Sequence, residues 1–135
     1  RAAIDRTGSG VLLTARCEAF LVGVNDLDEA IRRLKAYSDA GADCLYAPFL
    51  PDLDATAAVI QAAGPKPVNV LLSGPGRTVG ELAALGARRI SVGGALARAA
   101  YGTLVQAAVG LNENGAFEAF APIAPFTSFN EALKA

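Results

Sequence analysis

The chain has 135 residues, 53% of them hydrophobic and 19% charged, so it is one domain's worth of chain, able to bury a sizeable core and too apolar for disorder. Its 12 basic and 13 acidic residues are scattered and sum to −1, which leaves no basic patch for nucleic acid and no acidic tail. The absence of histidine removes Ser-His-Asp and Cys-His nucleophile systems, leaving arginine, carboxylates, asparagine, hydroxyls or a hard metal to carry any catalysis.

Small molecules or other subunits are the expected partners. No apolar run nears the roughly 18 residues of a membrane span, and the first residues are too polar for a signal peptide, so no membrane role is expected. Cys17 and Cys44 both sit in apolar runs, which suits buried reduced thiols in a cytoplasmic protein, although a bridge between them stays open at this point.

In chain order, "RAAIDRTGSG" reads as the tail of a helix, so the sequence is expected to begin inside a larger unit. Strand-like apolar runs follow at 11–16, 43–48, 67–72 and 88–93, with amphipathic helical patterns between them. The first connector, "NDLDEAIRRLKAYSDAG", puts Leu27, Ala30, Ile31, Leu34 and Tyr37 on one helical face, has acids in its first turn and stops at Gly41. The second, "PDLDATAAVIQAAG", ends at Gly64. The third opens on a capping box, Thr78-Val79-Gly80-Glu81, and stops at Gly86.

Four β-α units in a row predict an α/β fold with a parallel sheet covered by helices. A doubly wound sheet would favour a glycine-rich phosphate turn after its first strand, and "TARCEAF" is not one. Four evenly spaced units fit half of a TIM-type (β/α)₈ barrel of roughly 250 residues. A half-barrel also accounts for the mean hydropathy of +0.36, because it owns core surface that a second half would cover.

Alternation along the first strand puts Thr14, Arg16 and Glu18 on one side and Leu13, Ala15 and Cys17 on the other. The polar set is expected to face the barrel interior at the C-terminal strand end, where barrels of this type build their sites. Arg16 and Glu18 therefore read either as an ion pair fastening the strand end or as a guanidinium fork offered to a carboxylate or phosphonate. Asn69, alone in the apolar run of "KPVNVLLSGPG", is a structural or a ligand-binding amide. The loop "SGPGR" could present N–H groups to an anion, the basis of an alternative reading as another phosphate-binding barrel. Gly93 and Gly94 leave room for a ligand or permit a tight turn. Arg88 and Arg89, ahead of the last strand at the barrel's bottom, read as solvated.

"LTARCEAFLVG", "LDEAIRRLKAYSDAGADCLYAPFLPD", "KPVNVL" and "ELAALGARRISVGGALARAAYG", in that order and at those spacings, resemble the isocitrate lyase/phosphoenolpyruvate mutase superfamily, and most of all its short methylisocitrate lyase-like and carboxyvinyl-carboxyphosphonate phosphorylmutase-like members. The likeness runs from about residue 1 to residue 120 and implies strands 5–8, the C-terminal half of one (β/α)₈ barrel domain, over 1–135. It implies that Arg16 binds substrate carboxylate or phosphonate, that Glu18 supports the site electrostatically, and that Asn69 contacts substrate. No hydroxyl function is carried over to Gly94, where family members often have serine. The resemblance further implies a Mg²⁺-dependent lyase or mutase acting on small α-keto or α-hydroxy carboxylates, cleaving or forming a C–C or C–P bond through an enolate. The Mg²⁺ ligands and the catalytic cysteine of the lyases lie, in the family, on strands and a loop that this chain does not contain, so Cys17 is not that cysteine and the chain alone is expected to be inactive. The alternative is a non-catalytic half-barrel that self-assembles through its exposed edge.

The C-terminal segment 117–135 carries Phe117, Phe120, Ile123, Phe126, Phe129 and Leu133, while Pro122 and Pro125 forbid one continuous helix and "TSFNEALKA" reads as a short terminal one. So much aromatic surface either packs on its own barrel or anchors a subunit contact. A homo-oligomer is the expectation, in keeping with the resembled family.

Overall fold

The computed structural model describes residues 1–134. In chain order its elements are α1 (Ala2–Thr7), β1 (Thr14–Arg16), α2 (Leu27–Asp39), β2 (Cys44–Tyr46), α3 (Leu53–Ala63), β3 (Val68–Leu71), α4 (Val79–Ala84), β4 (Arg89–Ser91), α5 (Ala95–Asn114) and α6 (Phe126–Ala132), with short 3-10 turns at Phe20–Val22 and Glu118–Phe120. The chain divides into two compact units, Arg1–Gly93 and Gly94–Ala135.

The first unit is a four-stranded, all-parallel sheet in the order β1-β2-β3-β4. Each strand is shorter than its apolar run, because extended chain counts as strand only where a neighbour pairs with it. Val11 and Leu12 lie outside the ladder and are exposed. The connecting helices start and stop where their sequence signals fall. Asp26 accepts the Glu29 N–H at 3.0 Å ahead of α2, and Asp52 accepts the Ala55 N–H at 2.7 Å ahead of α3. Thr78 and Glu81 form the reciprocal capping box of α4. Gly41 ends the α2 turn in the left-handed region, at φ 98°.

Period-2 alternation divides the sheet into two chemical faces. Ala15, Leu45, Val68, Val70 and Ile90 pack with Ala30 and Leu34 of α2, Val59 of α3 and Leu82 of α4. Leu45, Val59, Val68 and Leu82 are within 2% of full burial, each contributing roughly 1.5–3 kcal/mol. Cys17 and Cys44 are buried and unbridged, as the apolar runs around them predict.

The opposite face is concave. The ladder aligns Arg16 with Tyr46, Tyr46 with Asn69 and Asn69 with Arg89. Arg89 nevertheless meets the strand start at Thr14, whose Oγ1 accepts from its Nη1 at 3.0 Å. A residue in the Arg16 row that touches Thr14 three strands away requires two things. The sheet must curl, so that side chains of its edge strands meet, and its strands must tilt, so that the register row slopes along the axis. Curl, tilt and stagger together are the geometry of a (β/α)₈ barrel wall.

In the second unit, α5 ends at Gly115, whose φ of 61° lets its N–H turn back to the Gly110 and Leu111 carbonyls. The Phe117 and Phe120 rings sit 6.0 Å apart around the following 3-10 turn. Pro125 precedes α6, so the prolines interrupt the helix as the sequence requires.

The entry of β1 hangs on Asp43. Its carboxylate accepts the Leu13 N–H at 2.7 Å and an Arg1 guanidinium N–H at 2.6 Å. The Leu13 N–H, then the charges of Arg1 and Lys66, hold this carboxyl below the usual carboxylate range against some desolvation. Because the folded pKa is depressed, the stabilisation is present above the unfolded value of about 4 and is lost as pH falls through the folded one. Asp43→Asn is therefore expected to lower the thermal midpoint at pH 7, with the gap between the two proteins narrowing as pH is taken down from about 4. A gap that stays constant across that range would show that the charge is not what Asp43 contributes.

Candidate functional site

Arg16 is the last residue of β1, and its side chain projects from the concave face. It is fixed from two directions. Glu18, just beyond the strand, forms an ion pair with Arg16 Nε and accepts from Nη2 at 3.3 Å. The Arg16 guanidinium carbon also stands 5.0 Å from the centroid of the Tyr46 ring. Both charged side chains are 44% exposed, so the pair contributes little to stability and its main effect is orientation. The guanidinium has five donors, and Glu18 engages one side of the fork.

Asn69, in the middle of β3, is 4% exposed. Its Nδ2 donates to Ser91 Oγ at 2.9 Å, while its Oδ1 is buried without a hydrogen-bond partner among the described residues. An unmet acceptor in a low-dielectric setting costs free energy and draws a donor to it.

Thr14, Arg16, Tyr46, Asn69, Arg89, Ser91 and Gly93 line one cavity of about 250 Å³. Three of the residues singled out from the sequence, Arg16, Asn69 and Gly93, thus share a wall, with Glu18 behind Arg16. Gly93 has φ 53°, and an added Cβ would lie 3.5 Å from Leu71 Cδ1, so a side chain there would be strained by the backbone more than by its neighbours. Gly94 sits at the N-cap of α5 with φ −85° and is not among the cavity's lining residues.

Thr14 faces the cavity as the alternation predicts, whereas sequence reasoning passed over Tyr46 and Ser91 and gave Arg89 no place in it. The signal was available, since the alternation that selects Arg16 also selects Tyr46 on β2 and Arg89 and Ser91 on β4. Arg89 is exposed, as expected, but it begins β4 instead of preceding it, and its guanidinium donates to Thr14 across the concavity.

The "SGPGR" loop helps line a second cavity, of about 200 Å³, with Phe49, Leu50 and Leu71. Two groups at its end are engaged by the chain itself. Arg77 donates to the Pro51 carbonyl at 2.7 Å, and the Thr78 N–H, at the mouth of α4, donates to the Glu81 carboxylate at 2.7 Å.

Residues 1–112 match the family model for phosphoenolpyruvate phosphomutase. Two uncharacterized proteins from strains of Mycobacterium tuberculosis are 35% identical over 92 residues, 67% of this chain and 35% of each of theirs. A crystal structure from Burkholderia cenocepacia, assigned as a lyase/mutase, is 47% identical with a TM-score of 0.87, over 99% of this chain and 50% of that one. Oxaloacetate acetylhydrolase bound to its product oxalate is 27% identical with a TM-score of 0.79, over 98% of this chain and 48% of that one. At 23% identity and a TM-score of 0.78, 2,3-dimethylmalate lyase supports the fold alone. The chain therefore spans about a third of the curated relatives and about half of the solved structures it matches.

The half-exposed Arg16–Glu18 pair predicts a separation of stability from orientation. Glu18→Gln is expected to move the thermal midpoint by no more than about 3 °C, as for a surface pair. The same change is expected to weaken binding of a small carboxylate anion about 5- to 10-fold by loosening the fork. Calorimetric titration checks the second, and unchanged affinity would reduce Glu18 to a strand-end fastener.

Proposed function

This chain belongs to the phosphoenolpyruvate mutase/isocitrate lyase superfamily, and we propose that it forms one wall of the active site of an enzyme that makes or breaks a C–C or C–P bond in a small α-keto or α-hydroxy carboxylate. One observation carries this reading: a guanidinium is held by Glu18 and Tyr46 at the C-terminal end of a parallel strand, over the same concavity as a buried amide with an unmet acceptor. A fixed planar fork matches a carboxylate by two parallel hydrogen bonds, and its charge stabilises negative charge developing on an enolate oxygen nearby. Because the fork is already oriented, little side-chain entropy is lost when the anion arrives.

Magnesium, implied by the resemblance, does not fit the residues of this chain. No group of three or more aspartate, glutamate, cysteine or histidine side chains is close enough to hold a metal among the described residues, and Glu18 is committed to Arg16. On this reading, Mg²⁺ is held by carboxylates of a complementary half, which supplies the remaining strands of the barrel, and the chain alone is inactive. A cytoplasmic setting agrees with two buried, unbridged cysteines. No described helix is long and apolar enough to cross a membrane.

The reading extends to assembly. Phe117, Phe126, Phe129 and Leu133 are exposed, Leu133 at 84%, and such a cluster on one terminal segment is the composition of a subunit contact. We take the intact protein to be a homo-oligomer held partly through residues 117–135.

Two experiments on the intact protein test these statements. Arg16→Ala is expected to lower kcat/KM about 100-fold on whichever α-keto or α-hydroxy acid a substrate screen identifies, with folding retained. Asn69→Ala is expected to lower it about tenfold without changing metal affinity. Full turnover by Arg16→Ala together with a lowered melting temperature would make the ion pair structural and remove the reading. For assembly, light scattering is expected to show an oligomer that dissociates on deletion from Phe117 onward. A monomer at micromolar concentration, or an oligomer that survives the deletion, would move the interface or abolish it.

A further inference from the structure

We infer that the concave face is completed by further β/α units that bring an inward-facing carboxylate against Arg89, and that a second copy of this chain does not complete it. The inference rests on the half-barrel reading above and adds the chemistry of the missing wall.

Among the described residues, the Arg89 side chain has a single hydrogen bond, to the neutral Thr14 hydroxyl at 3.0 Å, and no ion pair. A guanidinium carries five N–H donors. In the open concavity water serves the remainder. Helices cover the opposite face of the sheet, whereas all-parallel sheets occur almost only with both faces covered, and β1 and β4 each have just one neighbour among the described residues. A solved relative that this chain matches over 99% of its own length is twice as long, so a cover of similar size is available in proteins of this kind. Once the wall is closed, Arg89 lies at the sloping base of the barrel, level with the start of β1. A guanidinium buried there with only a hydroxyl would bear a large desolvation cost, which a carboxylate with hydrogen-bonding geometry offsets.

Charge decides between covers. The concave face of this chain carries Arg16 and Arg89, and Glu18 is already paired with Arg16. Closing the barrel with a second copy would double the unpaired guanidinium and bring no free carboxylate, so two unpaired cations would share one interior. The complementary wall must instead differ from this one and be acidic near its base.

The test uses the intact protein and two variants, melted at pH 8 and pH 5. Arg89→Met is expected to lower the midpoint by about 10 °C at pH 8, the loss that follows from stranding a buried charge. At pH 5 the loss is expected to fall to about half, because the stranded carboxylate, its folded pKa raised by burial, takes up a proton and becomes cheaper to bury. Arg89→Lys keeps the charge and is expected to melt within about 4 °C of the parent. A loss below about 3 °C, or one that does not change with pH, overturns the inference, as does light scattering that shows closure by a dimer of this 135-residue chain. Should Arg89→Met fail to fold, the arginine reagent phenylglyoxal decides on the unmutated protein, followed site by site by mass spectrometry. Arg89 reacting at least about tenfold more slowly than exposed Arg88, together with a folded Arg89→Lys, supports the inference, and equal rates overturn it. These readouts are thermal and chemical, so a failure here leaves the kinetics of Arg16→Ala untouched, and failure of those kinetics leaves Arg89 to be judged by itself.

Discussion

Because side chains alternate across a strand, each of the four strands sends one set of residues under the helices and the other into the concavity, and everything else in the first unit depends on that division. On β1 the division falls between Ala15 on one side and Thr14 and Arg16 on the other; on β3 it falls between Val68 and Val70 on one side and Asn69 on the other. A slip of one residue in β1, β3 or β4 would bury a guanidinium or an amide under the helices and expose the apolar set, so the register is strongly specified. The same rule makes the polar cavity unavoidable. If one face must be apolar to hold the helices, the polar residues of these strands have one remaining place to point, and curvature gathers them there.

The strands have only three or four residues each, too few to be stable as an isolated sheet. Their stability comes from the helices packed on the apolar face, and the helices in turn are set by local chemistry. Asp26, Asp52 and Thr78 each fix where a helix begins after the strand before it. These caps define where the loops at the C-terminal strand ends stop, and that is the end at which Arg16 emerges. A chain of causes therefore runs from a capping carboxylate to the orientation of a guanidinium, by way of helix position and strand length.

Much of this is legible in the sequence, and the parts that are not have a common physical cause. Helix starts, glycine stops, the order of the four units and the facing of Arg16 are local or period-2 properties, read within a window of a few residues. Tyr46 escaped because an aromatic in an apolar run looks like core, and only its position opposite Arg16 in the ladder gives it a cationic neighbour. Arg89 escaped because its partner is 75 positions away and lies out of its own register row. That contact depends on the curl and tilt of the sheet, quantities to which no short window of residues refers. Strand ends were overestimated at Val11 and Leu12 for a related reason, since apolar content says what could pair while the neighbouring strand decides what does.

The two arginines of the concavity show how one side-chain type serves two purposes through its surroundings. Arg16 is held from both sides yet half exposed, a combination that fixes direction while leaving charge available to a ligand. Desolvation on closure would strengthen its pull on an arriving anion, because the charges involved would then be screened less by water. Arg89 is tethered to one hydroxyl and placed where the tilt of the strands lowers the row toward the base. Reaction chemistry in barrels of this type belongs to the opposite, C-terminal end. A cation at the base cannot be idle once the wall closes, since the same loss of water that sharpens Arg16 penalises any guanidinium left without an anion. The separation along the strand axis is what allows both effects in one cavity. The upper charge is kept free for a ligand, and the lower one calls for a fixed partner from the rest of the barrel.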